Sequence, residues 1–136
     1  MDDDPFNLIA LEGLIAQLNC GPVEKAYNGQ DGLNKLSRDY QQCSNNCMLY
    51  LSETECKNHA PFKAVIVDNQ MPLMSGFEMT RVARQMQGNG QLHPRTRFIL
   101  LSGDDFSGDE EAKQLFDDLL IKPVSKERLE RVLRDN

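Results

Sequence analysis

Short apolar runs alternate with amphipathic stretches along most of this chain. Phe6, Ile9, Leu11, Leu14, Ile15 and Leu18 recur at roughly helical spacing behind Pro5, which suits a first helical turn, and Cys20-Gly21-Pro22 supplies the stop. Val23 to Tyr27 reads as a short strand ending at Asn28-Gly29, and Gln30 to Tyr40 as a second helix with Leu33 and Leu36 inward. Gln41 to Phe62 is polar and irregular, the pattern of a long surface insertion. Ala64-Val65-Ile66-Val67 has no polar face, as in a strand covered on both sides of a parallel sheet, and it stops at Asp68. Phe77 to Met86 is helical by period and is broken by Gly88-Asn89-Gly90, and Phe98-Ile99-Leu100-Leu101 is a further strand ending at Ser102. Asp109 to Phe116 suits a short helix. Leu119-Leu120-Ile121 gives the last strand, then Lys122-Pro123, then a helix opened by Ser125 as N-cap with Leu129, Val132 and Leu133 on one face.

Strand-helix units repeated in this way predict an α/β fold, a doubly wound parallel sheet with right-handed crossovers and helices on both faces. In such sheets the polar site lies beyond the carboxyl ends of the strands. The residues at those ends are Asp68, Ser102 and Lys122, and Asp2 and Asp3 precede the first helix, so all five are expected in one crevice. A carboxylate, a hydroxyl, an ammonium and an acidic pair suit phosphoryl transfer, where positioning and charge neutralisation carry most of the catalysis. Asp68 would be the carboxylate nucleophile. Clustered acids such as Asp3 with Asp68 would hold Mg²⁺, a hard ion that prefers oxygen ligands. Lys122 would pair with one phosphoryl oxygen and Ser102 would donate to another.

Composition narrows this picture. With 136 residues the chain fits one domain, and 40% hydrophobic with 26% charged residues is the mix of a soluble globular protein. A net charge of −6 argues against nucleic acid as a partner, because phosphate backbones are bound by Lys and Arg. The longest apolar runs are too short to span a bilayer, so no membrane contact is expected, and the acidic start is unlike a secretory signal. A cytoplasmic chain is the expectation. There Cys20, Cys43, Cys47 and Cys56 would remain thiols or bind metal. Cys43, Cys47, Cys56 and His59 give C-x3-C and C-x2-H pairs with ligand types that suit Zn²⁺, but at gaps matching no zinc module, and a polar loop is the plainer reading.

Four separated motifs carry a family resemblance. Asp2-Asp3-Asp4-Pro5-Phe6-Asn7 is similar to the acidic pair and following Asn of the response-regulator receiver domain, and Asn28-Gly29-Gln30-Asp31-Gly32-Leu33 to its Asn-Gly-x-x-Ala-Leu segment. Asp68-Asn69-Gln70-Met71-Pro72-Leu73-Met74-Ser75-Gly76 resembles the phosphoacceptor Asp followed by Met-Pro-x-Met-x-Gly, the most specific of the set. Ser102-Gly103 and Lys122-Pro123 complete the order. The style of the Met-Pro segment resembles receivers of hybrid histidine kinases, often eukaryotic ones. The resemblance implies a flavodoxin-like fold over residues 1–136, with the insertion at about 41–62. It implies Asp68 as phosphoacceptor, Asp2, Asp3, Asp68 and the Gln70 backbone carbonyl as ligands of Mg²⁺, and Ser102 and Lys122 as the residues contacting the phosphoryl group. The partner implied is a histidine kinase or histidine phosphotransfer protein, and catalysis is confined to the domain's own phosphorylation and dephosphorylation. The signal, the output and the oligomeric state are not legible.

Three features depart from the family. A receiver has an apolar strand before the acidic pair, central in the order 2-1-3-4-5, where this chain has only Met1, so a truncated chain of reduced stability is expected unless something fills that slot. Leu119 stands where many receivers place an aromatic switch residue. The segment between Ser102 and Lys122 is slightly short. Two rival functions follow: a non-phosphorylated pseudo-receiver that binds proteins, favoured by the missing strand, and an aspartate-nucleophile phosphohydrolase, disfavoured by Gln70 where such enzymes carry a second acid.

Overall fold

The computed structural model describes residues 1, 4–18, 23–37, 63–71 and 73–134. Helix α1 (Pro5–Gln17) begins where the Asp4 side chain accepts from the Phe6 amide, satisfying one of the donors that a helix start leaves unpaired. A helical run over residues 29–37, α2, opens beside Asn28, whose side chain accepts from the Asp31 amide. It turns Leu33 and Leu36 inward as their spacing predicts. Strand β1 (Ala64–Asp68) is followed by α3 (Gly76–Gly88), capped by Ser75, whose Oγ accepts from the Glu78 amide. Then come β2 (Arg97–Ser102), α4 (Glu110–Leu115) with Asp109 as N-cap, β3 (Asp118–Ile121) and α5 (Lys126–Arg134), where the Ser125 Oγ accepts from the Arg128 amide.

The three strands form one parallel sheet in the order β1-β2-β3. Alternation along each strand sends side chains to opposite faces. Val65, Val67, Phe98 and Leu100 enter a core with Leu33, Leu36, Met79 and Ala83. Ile66, Ile99, Leu101 and Leu120 enter a second with Leu18, Leu129 and Val132. Helices α2, α3 and α4 therefore cover one face and α1 and α5 the other, which is the doubly wound arrangement. Arg84 fastens α3 to the opposite end of the sheet from the strand-end site: its guanidinium lies over Phe98, donates to the Leu115 carbonyl and pairs with Asp117, whose carboxylate also accepts from the Phe98 amide.

The strand expected at Val23 to Tyr27 does not form, since residues 23–26 carry no regular structure and 27–28 form a bend. A strand is defined by its neighbour, and here β1 is the outermost strand of the described sheet. On its outer edge Met1 alone makes ladder bonds among the described residues, its nitrogen donating to the Ile66 carbonyl and its carbonyl accepting from the Asp68 amide. Cys20, Cys43, Cys47, Cys56, His59 and the 41–62 insertion lie outside the described residues, as do Asp2 and Asp3. His93 is a loop residue whose Nδ1 accepts from the Arg95 amide; partial burial and the nearby Arg95 cation hold its imidazole below the ordinary histidine range.

Candidate functional site

The parallel register brings three polar residues to one end of the sheet. Asp68 is the last residue of β1 and aligns with Leu101, and Ser102, the next residue of β2, aligns with Ile121, directly before Lys122. Asp68 is 3% exposed and Ser102 6%, unusual burial for a carboxylate and a hydroxyl unless each has partners. Both have them. The Asp68 Oδ1 accepts from the Gln70 amide at 2.9 Å, and Oδ2 accepts from the Lys122 ammonium at 2.7 Å. The Ser102 Oγ accepts from the Asp104 amide at 3.0 Å. The Lys122 amide donates to the Ser102 carbonyl, so the chain leaving β3 is tied to the end of β2, and the bond from Lys122 to Pro123 is cis.

The loop after Asp68 is shaped by backbone contacts. The Asn69 amide donates to the Leu101 carbonyl, and the Asn69 carbonyl accepts from the Gly76 amide, closing the loop at the start of α3. A Cβ added at Gly76 would lie 2.8 Å from the Asp68 carbonyl oxygen and 2.9 Å from the Asn69 Cα, so only glycine lets the helix start this close to the strand end. Leu73 at the loop tip has φ 68° and is fully exposed, a left-handed conformation uncommon for a side chain of its size. The Thr80 hydroxyl donates to the Gly76 carbonyl inside the core and steadies the first turn.

Of the residues singled out from the sequence, Asp68 and Lys122 touch, Ser102 is buried at the adjoining strand end, and Gln70 is exposed with its amide on Asp68. The sequence did not reveal that Gly76 rests on the backbone of Asp68, although a glycine behind a serine N-cap was the available signal. Among the described residues, no group of three or more His, Cys, Asp or Glu side chains is placed to hold a metal ion. The side-chain oxygens at this end of the sheet, the buried Asp68 carboxylate and the Ser102 hydroxyl, are nevertheless of the type a hard divalent cation takes, usually while keeping several waters. Across the loop from Ser102, the Asp105 carboxylate accepts from the Ser107 amide, and that bond holds its carboxyl below the ordinary range. No described helix is long and apolar enough to cross a membrane.

No protein-family model matches the chain. It is 36% identical over 75 residues to the hybrid signal transduction protein dokA of Dictyostelium discoideum, covering 55% of this chain and 4% of that protein. It is 37% identical over 76 residues to the two-component response regulator ORR41 of Oryza sativa subsp. japonica, covering 54% of this chain and 55% of that one. It is 27% identical over 114 residues to the histidine kinase CKI1 of Arabidopsis thaliana, covering 84% of this chain and 9% of that protein. The chain thus spans about half of one of these relatives and under a tenth of the other two. Among solved structures it is similar to the CKI1 receiver domain complexed with Mg²⁺ and BeF₃⁻, at TM-score 0.74 and 24% identity over 98% of this chain and 83% of that one. It is also similar to the receiver domain of the sensor histidine kinase PA1611 of Pseudomonas aeruginosa PAO1, solved with a magnesium ion in its active site cleft, at TM-score 0.70 and 24% identity over 98% and 90%. The chemotaxis protein CheY4 of Vibrio cholerae is matched at TM-score 0.69 and 22% identity over 98% and 91%.

Proposed function

We propose that this chain, which has the fold of the CheY-like receiver domains, is the receiver of a two-component phosphorelay and takes a phosphoryl group onto Asp68. The observation that carries the reading is the Asp68–Lys122 contact: a buried carboxylate at a strand end, held at one oxygen by a backbone amide and at the other by an ammonium. That is a nucleophile already positioned, beside a cation suited to the oxygens of an incoming phosphoryl group. The donor is a phosphohistidine on a histidine kinase or histidine phosphotransfer protein. One Asp68 oxygen bonds to phosphorus as the P–N bond breaks, and the departing electron pair stays on the imidazole, whose other ring nitrogen keeps its proton.

Ser102 Oγ, which accepts from the Asp104 amide, keeps its own proton to donate to one phosphoryl oxygen, and Lys122 pairs with another. Mg²⁺ would be held by Asp68, the Gln70 carbonyl, Asp2 and Asp3, and when bound it supplies positive charge where carboxylates and phosphoryl oxygens would otherwise repel. The domain's catalysis is directed at itself, so it is a signalling module and not a conventional enzyme. Loss of the phosphoryl group by hydrolysis or onward transfer resets it.

Incubation with a small phosphodonor and Mg²⁺, followed by intact-mass measurement, tests this. The expected result is a gain of one phosphoryl group, absent with a chelator and absent in Asp68→Asn. A wild-type chain that stays at its own mass while remaining folded would mean a pseudo-receiver that acts by binding alone.

A further inference from the structure

We infer that Phe106 is the coupling residue of this domain, gripping α4 at both ends and carrying the state of Ser102 to that helix without an aromatic at position 119. The inference rests on the receiver reading above and adds to it the route by which the site is read out. Three aromatic rings form a chain. Phe106, in the loop that leaves Ser102, meets Phe77 edge-on with centroids 5.4 Å apart at 61°, and Phe77 meets Phe116 at 5.4 Å and 83°. Phe116 is the C-cap residue of α4, and its amide donates to the Ala112 carbonyl. The side chain of Phe106 is therefore linked through one intermediate ring to the C-terminal end of α4.

The main chain of Phe106 reaches the other end. Its carbonyl accepts from the amide of Asp109, whose carboxylate accepts from the Ala112 amide and so caps the N-terminus of α4. Between Ser102 and Phe106 the loop is held by local bonds, Asp104 amide to Ser102 Oγ and Ser107 amide to Asp105 Oδ1, so a displacement at Ser102 is passed along rather than absorbed. A hydroxyl can donate its one proton to a phosphoryl oxygen while its lone pair still accepts from the Asp104 amide, so a shift of Ser102 Oγ toward the phosphoryl group draws the strut beginning at that amide with it. Phe77 directly follows Gly76, which is seated on the Asp68 backbone, so the middle ring stands on the rigid side of the site. Leu119 has no ring; its half-buried side chain packs at the margin of the same core as the three rings, and its carbonyl receives Arg128 at 3.5 Å. Helix α4 is also pinned to α3 by ion pairing of Arg81 with Glu111, which sets the resting position that the relay works against.

The test is hydrogen exchange at the amides of residues 110–116, with and without Mg²⁺ and beryllofluoride, in wild type, Phe106→Leu, Phe77→Leu and Leu119→Ala. Wild type and Leu119→Ala should change exchange in α4 by roughly two- to twelve-fold, the span that one edge-to-face ring pair supplies. Phe106→Leu, which removes the ring and keeps the carbonyl that receives Asp109, should lose that response at Leu115 and Phe116 while still gaining the mass of one phosphoryl group from a small phosphodonor. Phe77→Leu should likewise lose it at Leu115 and Phe116, and both variants should keep it at Ala112 and Lys113, whose amides donate to Asp109, because the main-chain link survives. A wild-type-sized response at Leu115 and Phe116 in Phe106→Leu overturns the proposal, as does a phosphorylated wild type with no response in α4, or a response abolished in Leu119→Ala alone. A wild type that takes up no phosphoryl group removes the receiver reading instead, and the relay with it.

Discussion

Lys122→Ala is expected to slow phosphoryl uptake at Asp68 by about 10²-fold or more, the effect of removing one preorganised donor from a site where charge develops. The lysine does two things in the resting domain. Its ammonium, 2.7 Å from Asp68 Oδ2, offsets a carboxylate that is almost entirely out of water, and it is the cation placed to meet the new phosphoryl oxygens. Truncation leaves the Asp68 carboxylate, among the described residues, with the Gln70 amide alone. A buried acceptor stripped of its partner costs about 1–3 kcal/mol, and the lower part of that range applies because the Lys122 side chain is 36% exposed and water can follow it in. Folding and chemistry then separate in a second variant. Asp68→Asn combined with Lys122→Ala removes the unpaired charge, so urea unfolding should recover most of the lost stability while uptake stays at zero. Equal uptake rates in wild type and Lys122→Ala would contradict the assignment of the lysine.

Gly76→Ala is expected to destabilise the domain by about 1–3 kcal/mol, the usual cost of forcing extra atoms into a filled site. Here the added methyl meets backbone and not the free end of a side chain, with the Asp68 carbonyl oxygen at 2.8 Å and the Asn69 Cα at 2.9 Å. Relief requires α3 to withdraw from β1 or the Asp68 loop to open, and either breaks the bond from the Gly76 amide to the Asn69 carbonyl. The same movement displaces the nucleophile, so uptake should fall together with the urea midpoint. Gly13 is the control, because a Cβ there meets nothing within 4 Å and Gly13→Ala should be neutral or slightly stabilising in mid-helix. Equal losses at both positions would show that the Gly76 contact is not the cause.

The elements that the sequence made plain are those whose signal is local. Val65 to Val67 and Phe98 to Leu101 have no polar face and lie covered on both sides, and Ser125 caps its helix through a bond spanning three residues, as Ser75 and Asp109, not singled out from the sequence, also do. The meeting of Asp68 with Lys122 was also legible, because strand ends in a parallel sheet share one edge whatever the loops do. Val23 to Tyr27 was misread, since alternation describes a side-chain pattern and a strand needs a neighbour's backbone. The first helix lies where the spacing predicts it, but its sequence names no buried face, because apolar residues lie nearly all round: Leu8 and Leu18 are buried while Phe6 and Ile9 face solvent. Arg84 with Asp117, 33 positions apart, and the Phe106-Phe77-Phe116 rings depend on how α3 and α4 pack, which no local pattern specifies.

The chemical identity of the modified atom is the most direct test of the whole account. Treating the phosphodonor-exposed protein with borohydride reduces an acyl phosphate to an alcohol, and peptide mass mapping then locates the change. The account predicts that it falls on Asp68 and nowhere else, whereas a label on another carboxylate, or a stable phosphoester on Ser102, would contradict it.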